Sequence, residues 1–292
     1  MPDNAENKVG REVKIALIQM NCNASKDENL TKALMKISEA AKSGAQIVAL
    51  SEIFLGPYFC QQANDKSAFE MAEEIPGETT EALSKAARDN KIVLIGGSIF
   101  ERKGEKFFNT APIFLPDGSL AGVYRKTHIP EDILYHEQQY FESSDEGVKI
   151  FETPFGKIAV LICYDQWFPE FARIATLKGA EVIFYPTAIG LVDEEVEKNI
   201  TGDWSAMWRN VQLGHSAANT MAICAINRVG REGNINFWGK SFIADQSSKV
   251  LVEAGGGEEI IMASVDLDKH AALEKTWRFL ACRKPSQYKD IL

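Results

Sequence analysis

The sequence predicts an α/β protein of two related halves packed sheet on sheet. Two observations carry this. Apolar, β-branched runs alternate with helical segments from the start of the chain, and the connections mix βαβ units with hairpins, as a mixed sheet requires. A weak internal repeat then divides the chain. Lys14-Ile15-Ala16-Leu17-Ile18 is echoed by Lys157-Ile158-Ala159-Val160-Leu161-Ile162. One helix later, Ser43-Gly44-Ala45-Gln46-Ile47-Val48 is echoed by Lys178-Gly179-Ala180-Glu181-Val182-Ile183. In this register Glu52 matches Thr187, both just past the second strand of their half. No Pro- or Ser-rich linker splits the chain, so residues 1–292 are expected to form a single domain. Residues 1–11 are expected to be a disordered leader, and the aromatic tail over 277–292 could pack across an oligomer interface or cover its own core.

In chain order, the apolar run at 13–19 reads as a strand, 30–42 as a helix and the buried run 47–50 as a second strand. Residues 79–89 read as a helix and 92–99 as one strand. Strands over 107–115 and 120–124 are joined by Pro116-Asp117-Gly118-Ser119, a turn by its chemistry. Residues 157–162 form a continuous apolar run, read as a central strand covered on both faces. Pro169-Glu170 suits the first turn of a helix over 169–178. A strand at 182–185, a long helix over 204–219, and strands at 221–226, 241–244 and 260–266 complete the pattern.

Composition narrows the function. With 292 residues and 45% hydrophobic content, the chain can bury a large core. Its net charge of −9 argues against a nucleic-acid partner, which would want a basic face, and fits a cationic ligand slightly better than an anionic one. No apolar run reaches membrane-spanning length, and the polar start lacks a signal core. A cytoplasmic protein without membrane partners is expected. The five cysteines are scattered with no C-x-x-C pair, and the four histidines form no H-x-x-x-H pair, so neither a disulfide framework nor a metal is expected. Gly239-Lys240-Ser241 resembles the end of a P-loop, but Asn234 stands where its upstream glycine belongs. Gly96-Gly97-Ser98 lacks the later glycine of a serine-hydrolase elbow, and Gly255-Gly256-Gly257 reads as a turn. No cofactor is implied.

Three strand-end residues remain. Glu52 follows Ile47-Val48-Ala49-Leu50-Ser51, Lys126 follows Val123-Tyr124-Arg125, and Cys163 ends the 157–162 run on the turn that feeds a helix. Open α/β sheets keep their sites at that edge. A carboxylate can take the thiol proton as general base. An ammonium lowers the thiol pKa from its reference of ~8.5 and offers a donor to a tetrahedral oxyanion. A nearby helix N-terminus would also favour the thiolate. The amide N–H of Tyr164 is a second candidate donor, and losing one such donor typically costs ~3–4 kcal/mol of barrier. Singly, each residue has a plainer role: a small core residue for Cys163, a cap or solvated charge for Glu52, and a surface basic pair for Arg125-Lys126. Together they make an acyl-transfer set.

The three segments Leu50-Ser51-Glu52, Tyr124-Arg125-Lys126-Thr127-His128-Ile129-Pro130 and Ile162-Cys163-Tyr164-Asp165-Gln166-Trp167-Phe168-Pro169-Glu170 resemble the signatures of the nitrilase (carbon–nitrogen hydrolase) superfamily, in that family's order. The resemblance runs from Val13 to Tyr288. It implies a four-layer α-β-β-α sandwich, Glu52 as base, Lys126 as oxyanion partner, Cys163 as nucleophile and a homo-oligomer. A second glutamate after the lysine motif is also implied, with Glu137 in His136-Glu137-Gln138-Gln139-Tyr140-Phe141 as the candidate. The residues after Cys163, with Tyr58-Phe59-Cys60-Gln61 and Gly214-His215-Ser216-Ala217-Ala218-Asn219, resemble the N-carbamoylputrescine amidohydrolase branch. That branch implies hydrolysis of a terminal urea to amine, CO2 and ammonia, and a place in polyamine biosynthesis. The alternatives are other specificities of the family: ω-amidase, β-ureidopropionase, N-carbamoyl amino-acid hydrolase or nitrilase. A further alternative is a family-fold binding or scaffold protein, against which the intact Glu52, Lys126 and Cys163 argue. Candidate substrate contacts are Tyr58 and Trp167 as aromatic walls, with Tyr164, Thr187 and Ala188 at strand ends. The acidic stretch 192–197 is a candidate rim for a distal ammonium. Arg173 and Arg209 are the candidate clamps should the substrate carry a carboxylate.

Overall fold

Alternate residues of the first strand, β1 (Glu12–Gln19), face different apolar cores. In the computed structural model, which describes residues 10–193 and 203–291, Ile15 and Leu17 pack into the cluster shared with the second sheet. Ala16 and Ile18 pack against helices. The same split recurs in β2 (Ile47–Leu50) below, so each sheet carries helices on one face and the other sheet on its opposite face. Full burial of one such Ile or Leu contributes roughly 1.5–3 kcal/mol. The expected leader lies almost wholly in 1–9, outside the described residues, as does most of the acidic stretch (194–197).

Helix α1 (Lys26–Lys42) starts earlier than its apolar periodicity, because its first turn is polar. The Ser25 side chain accepts the Glu28 N–H there, while Asp27 and Glu28 suit the positive end of the helix. It buries Ala33, Ile37 and Ala40, then hands over to β2, parallel to β1. Helix α2 (Glu78–Asn90) buries Leu83, Ala86 and Ala87 and leads to β3 (Val93–Ile95), parallel to β2. The single strand expected over 92–99 is in fact β3 and β4 (Ile99–Lys103), broken at Gly96-Gly97-Ser98. Gly97 has φ +61°, and a Cβ there would lie 2.2 Å from the Ser51 carbonyl oxygen. The break is therefore a seat for the chain around Glu52. Strand β5 (Lys106–Phe114) pairs with β4 and with β6 (Leu120–Arg125), and a small hairpin of β7 (Glu131–Asp132) and β8 (Tyr135–His136) follows.

The second half repeats the first. Strands β9 (Ile150–Thr153) and β10 (Gly156–Val160) are antiparallel, helix α3 (Pro169–Leu177) crosses to β11 (Val182–Thr187), and β12 (Gly190–Val192) follows. Helix α4 (Trp204–Asn219) then leads to β13 (Ala222–Asn227), parallel to β11. Strands β14 (Val229–Glu232) and β15 (Ile235–Trp238) form a three-stranded sheet with β12, while β16 (Phe242–Ala244) and β17 (Val250–Glu253) extend the main one. Strand β18 (Glu259–Asp266) returns to pair antiparallel with β1 across the halves, and α5 (Lys269–Trp277) closes the helices. The sheets run β18-β1-β2-β3-β5-β4, with β6 on β5, and β17-β16-β13-β11-β10-β9. The result is the four-layer α-β-β-α sandwich.

Two expectations about the nucleophile strand change. Strand β10 is not central but next to the edge strand β9, and Lys157 is exposed, pairing with Glu152 at 3.0 Å. Thr187 lies within β11, paired with Asn227, whereas Glu52 lies beyond its strand. In the tail, α5 buries none of its residues, and Trp277 stacks on Phe279 with both exposed.

Gly97→Ala is expected to lower the unfolding free energy by about 3 kcal/mol through backbone strain and overpacking. A denaturant titration reads this directly. An unchanged midpoint would mean that the Glu52 turn yields freely.

Candidate active site

Each functional side chain sits where a strand stops. Past the end of β2, Glu52 enters a turn in which Ile53 holds φ +46°, an unfavourable conformation for a β-branched residue. That turn is held from several sides. Ile53 N–H donates to Ser98 Oγ at 3.0 Å, and the buried Arg228 guanidinium donates to the carbonyls of Ile53 (3.4 Å) and Gly56 (2.7 Å). Arg228 comes from the link between β13 and β14, so the second half fastens the loop of the first.

Lys126 directly follows β6. Adjacent residues on an extended chain face opposite ways, and this separates Arg125 from Lys126. Arg125 pairs through two nitrogens with Glu101, both at 2.6 Å, and with Glu146 at 2.8 Å. Lys126 turns inward and is fully buried. Its Nζ donates to Glu52 Oε1 at 2.8 Å and to Glu137 Oε2 at 2.6 Å. Glu137 opens a short 3₁₀ turn after β8 and accepts the Tyr58 hydroxyl on its other oxygen at 2.6 Å. Tyr58 N–H in turn donates to Glu232 at 2.7 Å, and Glu232 lies 2.9 Å from Arg228. The polar chain thus closes on itself, from Glu52 through Lys126, Glu137, Tyr58, Glu232 and Arg228 back to the Glu52 turn.

Cys163 follows Ile162 at a sharp bend with φ +43° and opens a 3₁₀ turn, Cys163–Trp167, before α3. The bend is anchored by buried Asp165. One carboxylate oxygen accepts Tyr124 Oη–H (2.7 Å) and Ile162 N–H (2.9 Å), and the other accepts His128 N–H at 3.0 Å. These bonds tie the cysteine turn to the strand and loop that carry Lys126. Cys163 is 7% exposed as a residue, with the Ala188 carbonyl oxygen 3.9 Å from Sγ.

Burial sets the electrostatics. It pushes the Cys163 thiol well above the ordinary thiol range, the Glu52 charge adds to this, and Lys126 opposes it. The thiol pKa lowered by an ammonium, expected from sequence, is therefore reversed by desolvation. Burial also disfavours the Lys126 ammonium, but the charges of Glu137 and Glu52 outweigh it and hold its pKa well above the usual lysine range. The Glu137 carboxyl is raised by burial to about 7, against the pull of Lys126.

Cys163 and Glu137 open onto a cavity of about 560 Å³. Tyr164 and Trp167 line it, together with Tyr135, Asp132, Trp204 and Trp238, to which sequence reasoning assigned no role. Tyr135 also clasps the two walls, its hydroxyl accepting Gly190 N–H at 3.0 Å. Three expected contacts are not among the lining residues: Tyr58, Thr187 and Ala188, the last fully buried with only its carbonyl oxygen near Sγ. Tyr58 lies fully buried behind Glu137, and the Thr187 hydroxyl donates to the Tyr185 carbonyl at 2.9 Å. Arg173 donates to the Ala218 carbonyl and Arg209 pairs with Glu253, so neither clamp candidate reaches the cavity. Among the described residues, no group of three or more His, Cys, Asp or Glu is placed to hold a metal ion, and no helix is long and apolar enough to cross a membrane.

The carbon-nitrogen hydrolase family model matches residues 14–275. The chain is 36% identical to a citrullinase of Francisella tularensis, covering 96% of this chain and 98% of that protein. It is 38% identical to an N-carbamoylputrescine amidase of Solanum lycopersicum, covering 97% and 95%. Its fold superposes on the crystal structure of a carbon–nitrogen hydrolase from Helicobacter pylori with a TM-score of 0.90 at 34% identity, covering 96% and 98%.

Glu137 is ionised above about pH 7 and protonated below it. The ionised form accepts a charge-assisted bond from Lys126 Nζ that the neutral acid weakens, so kcat/KM is expected to fall as pH drops through that value. In Glu137→Gln the limb should disappear, with activity roughly 10–100-fold lower above about pH 7 and the gap narrowing as pH falls. A pH–rate profile identical to that of the unmodified protein would exclude Glu137 from the reacting cluster.

Proposed function

The chain belongs to the carbon–nitrogen hydrolase family, and on that premise we propose that it hydrolyses the terminal urea of N-carbamoylputrescine or a similar N-carbamoyl amine. It is a hydrolase of carbon–nitrogen bonds; the substrate and the residue roles are our reading. The observation that carries the substrate class is the cavity wall. Among the described lining residues, every charged side chain is a carboxylate, Asp132 or Glu137, and Trp167, Trp204, Trp238 and Tyr164 supply aromatic faces. Such a wall suits a distal ammonium through charge and cation–π attraction and offers nothing to a carboxylate. Glu137 is already held by Lys126, which leaves Asp132 for the ammonium.

The chemistry proceeds in two displacements. Glu52 takes the Cys163 proton, and the thiolate attacks the carbamoyl carbon. Lys126 has three N–H donors, two of which serve Glu52 and Glu137, so the third is available to the tetrahedral oxyanion. The Tyr164 amide N–H is the second donor. Glu52 returns the proton to the terminal nitrogen, which leaves as ammonia while the carbon stays on Sγ as a thiocarbamate. Glu52 then activates water, which displaces the thiol. The carbamic acid released decomposes to CO2 and the free amine. A buried thiol that stays neutral until substrate arrives suits this order, because the proton moves only when the attacking geometry is complete. We place the reaction in the cytoplasm and in polyamine synthesis, and we read the exposed aromatic tail as part of a homo-oligomer contact.

The similarity to a citrullinase favours a second reading, a ureido amino acid bearing both an ammonium and a carboxylate. Ammonia release from N-carbamoylputrescine, citrulline, N-carbamoyl-β-alanine, an ω-amide and a simple nitrile separates the readings. Turnover led by N-carbamoylputrescine and abolished in Cys163→Ala is expected. Asp132→Asn should raise KM roughly 3- to 10-fold with kcat retained, the loss of one partly screened charge contact. Turnover led by an N-carbamoyl acid would overturn the amine specificity.

A further inference from the structure

We infer that Asn109 is a positioning residue for the base, selecting which oxygen of Glu52 is free to take the thiol proton. The inference rests on Glu52 acting as base.

The two oxygens of the Glu52 carboxylate are not equivalent. Oε1 accepts Lys126 Nζ–H at 2.8 Å and Asn109 Nδ2–H at 2.8 Å, whereas Oε2 is buried with no partner. A carboxylate held by two donors on one oxygen cannot rotate without breaking both bonds. The unpartnered oxygen is therefore the one with lone pairs to offer. Lys126 alone would not impose this, because a single ammonium can bridge both oxygens or follow either of them. The planar amide of Asn109 adds the second, directional constraint.

Asn109 is built to touch both partners of the pair. It sits in β5, fully buried, and its main-chain carbonyl accepts the Lys126 N–H at 2.9 Å. One residue thus fixes the backbone from which the ammonium projects and the carboxylate which that ammonium serves. Its Nδ2 faces the anion because the amide oxygen would be repelled there. The consequence is visible on the other side of the amide, where Asn109 Oδ1 is buried without a partner. A buried acceptor left unmade is unfavourable, and sheet packing alone would accept an apolar side chain at this position. An interaction with the carboxylate accounts for the polar residue.

Three variants test this: Asn109→Leu, Asn109→Asp and, as control, Glu52→Gln. Each is measured for kcat and KM with N-carbamoylputrescine, or whichever ureide or amide the protein turns over. Each is also measured for the rate of Cys163 alkylation by iodoacetamide, which needs no substrate. In Asn109→Leu, kcat and the alkylation rate are expected to fall together, roughly 10- to 100-fold, with KM unchanged within a factor of about two. In Asn109→Asp, the introduced carboxyl can donate only when protonated, so activity relative to the unmodified protein should recover as pH is lowered. A structural defect would not be repaired by acid. A rise in KM with kcat intact, or no acid recovery in Asn109→Asp, would overturn the proposal. If Glu52→Gln retains normal alkylation and turnover, the base assignment itself fails and the role of Asn109 with it. If Glu52→Gln is inactive while both Asn109 variants behave normally, only the role of Asn109 falls.

Discussion

One ammonium lies between two carboxylates, and all three are shut away from water. Lys126 and Glu52 are fully buried and Glu137 is 1% exposed. Moving such ions out of water costs several kcal/mol each even after the protein relaxes, so the cluster survives only with its hydrogen bonds made. The rest of the site follows from this constraint. Lys126 must arrive from the strand side of β6, Glu52 from the end of β2, and Glu137 from the turn after β8. The outlying members, Asn109, Tyr58, Glu232 and Arg228, hold oxygens and backbone that the central ions leave over.

The two-sheet architecture makes that cluster useful. The first half carries the ions, and the second carries the thiol on the bend at Cys163. Neither half holds its own loop unaided. Arg228, from the second half, grips the Glu52 turn, and Asp165, below the cysteine bend, grips Tyr124 and His128 of the first. Strand β18 pairs with β1 across the halves as well. The positive φ values at Ile53 and Cys163 are thus borne by contacts from the opposite sheet, and strain of order 1–3 kcal/mol per residue is characteristic of such sites.

Much of this was legible in the chain. The repeat at Lys14 and Lys157 announced two halves, and the polar residues closing apolar runs marked Glu52, Lys126 and Cys163. What escaped did so for physical reasons. Asn109 sits inside a strand, where a polar residue looks like the solvent face of an amphipathic pattern, and only tertiary packing reveals the carboxylate beside it. Gly96-Gly97-Ser98 read as a continuation of strand because a left-handed φ has no signature beyond the glycine itself. Tyr58 was read as a cavity wall, yet its hydroxyl is bonded to Glu137. The thiol was expected to be acidic because a neighbouring charge can be inferred from a motif, whereas the depth of burial that reverses its effect cannot. Asp132 and the indoles of Trp204 and Trp238 converge from distant segments, so no spacing joins them.

The central claim is that the buried thiol stays neutral and gains its reactivity from the ion cluster when the proton is taken. A difference titration of thiolate ultraviolet absorbance, with Cys163→Ala subtracted from the unmodified protein, tests it most directly. No thiolate signal from Cys163 at neutral pH is expected in the unliganded protein, with its titration lying above the ordinary thiol range. A Cys163 thiolate already formed at or below neutral pH would contradict the claim and point instead to a resting thiolate–ammonium pair with Lys126.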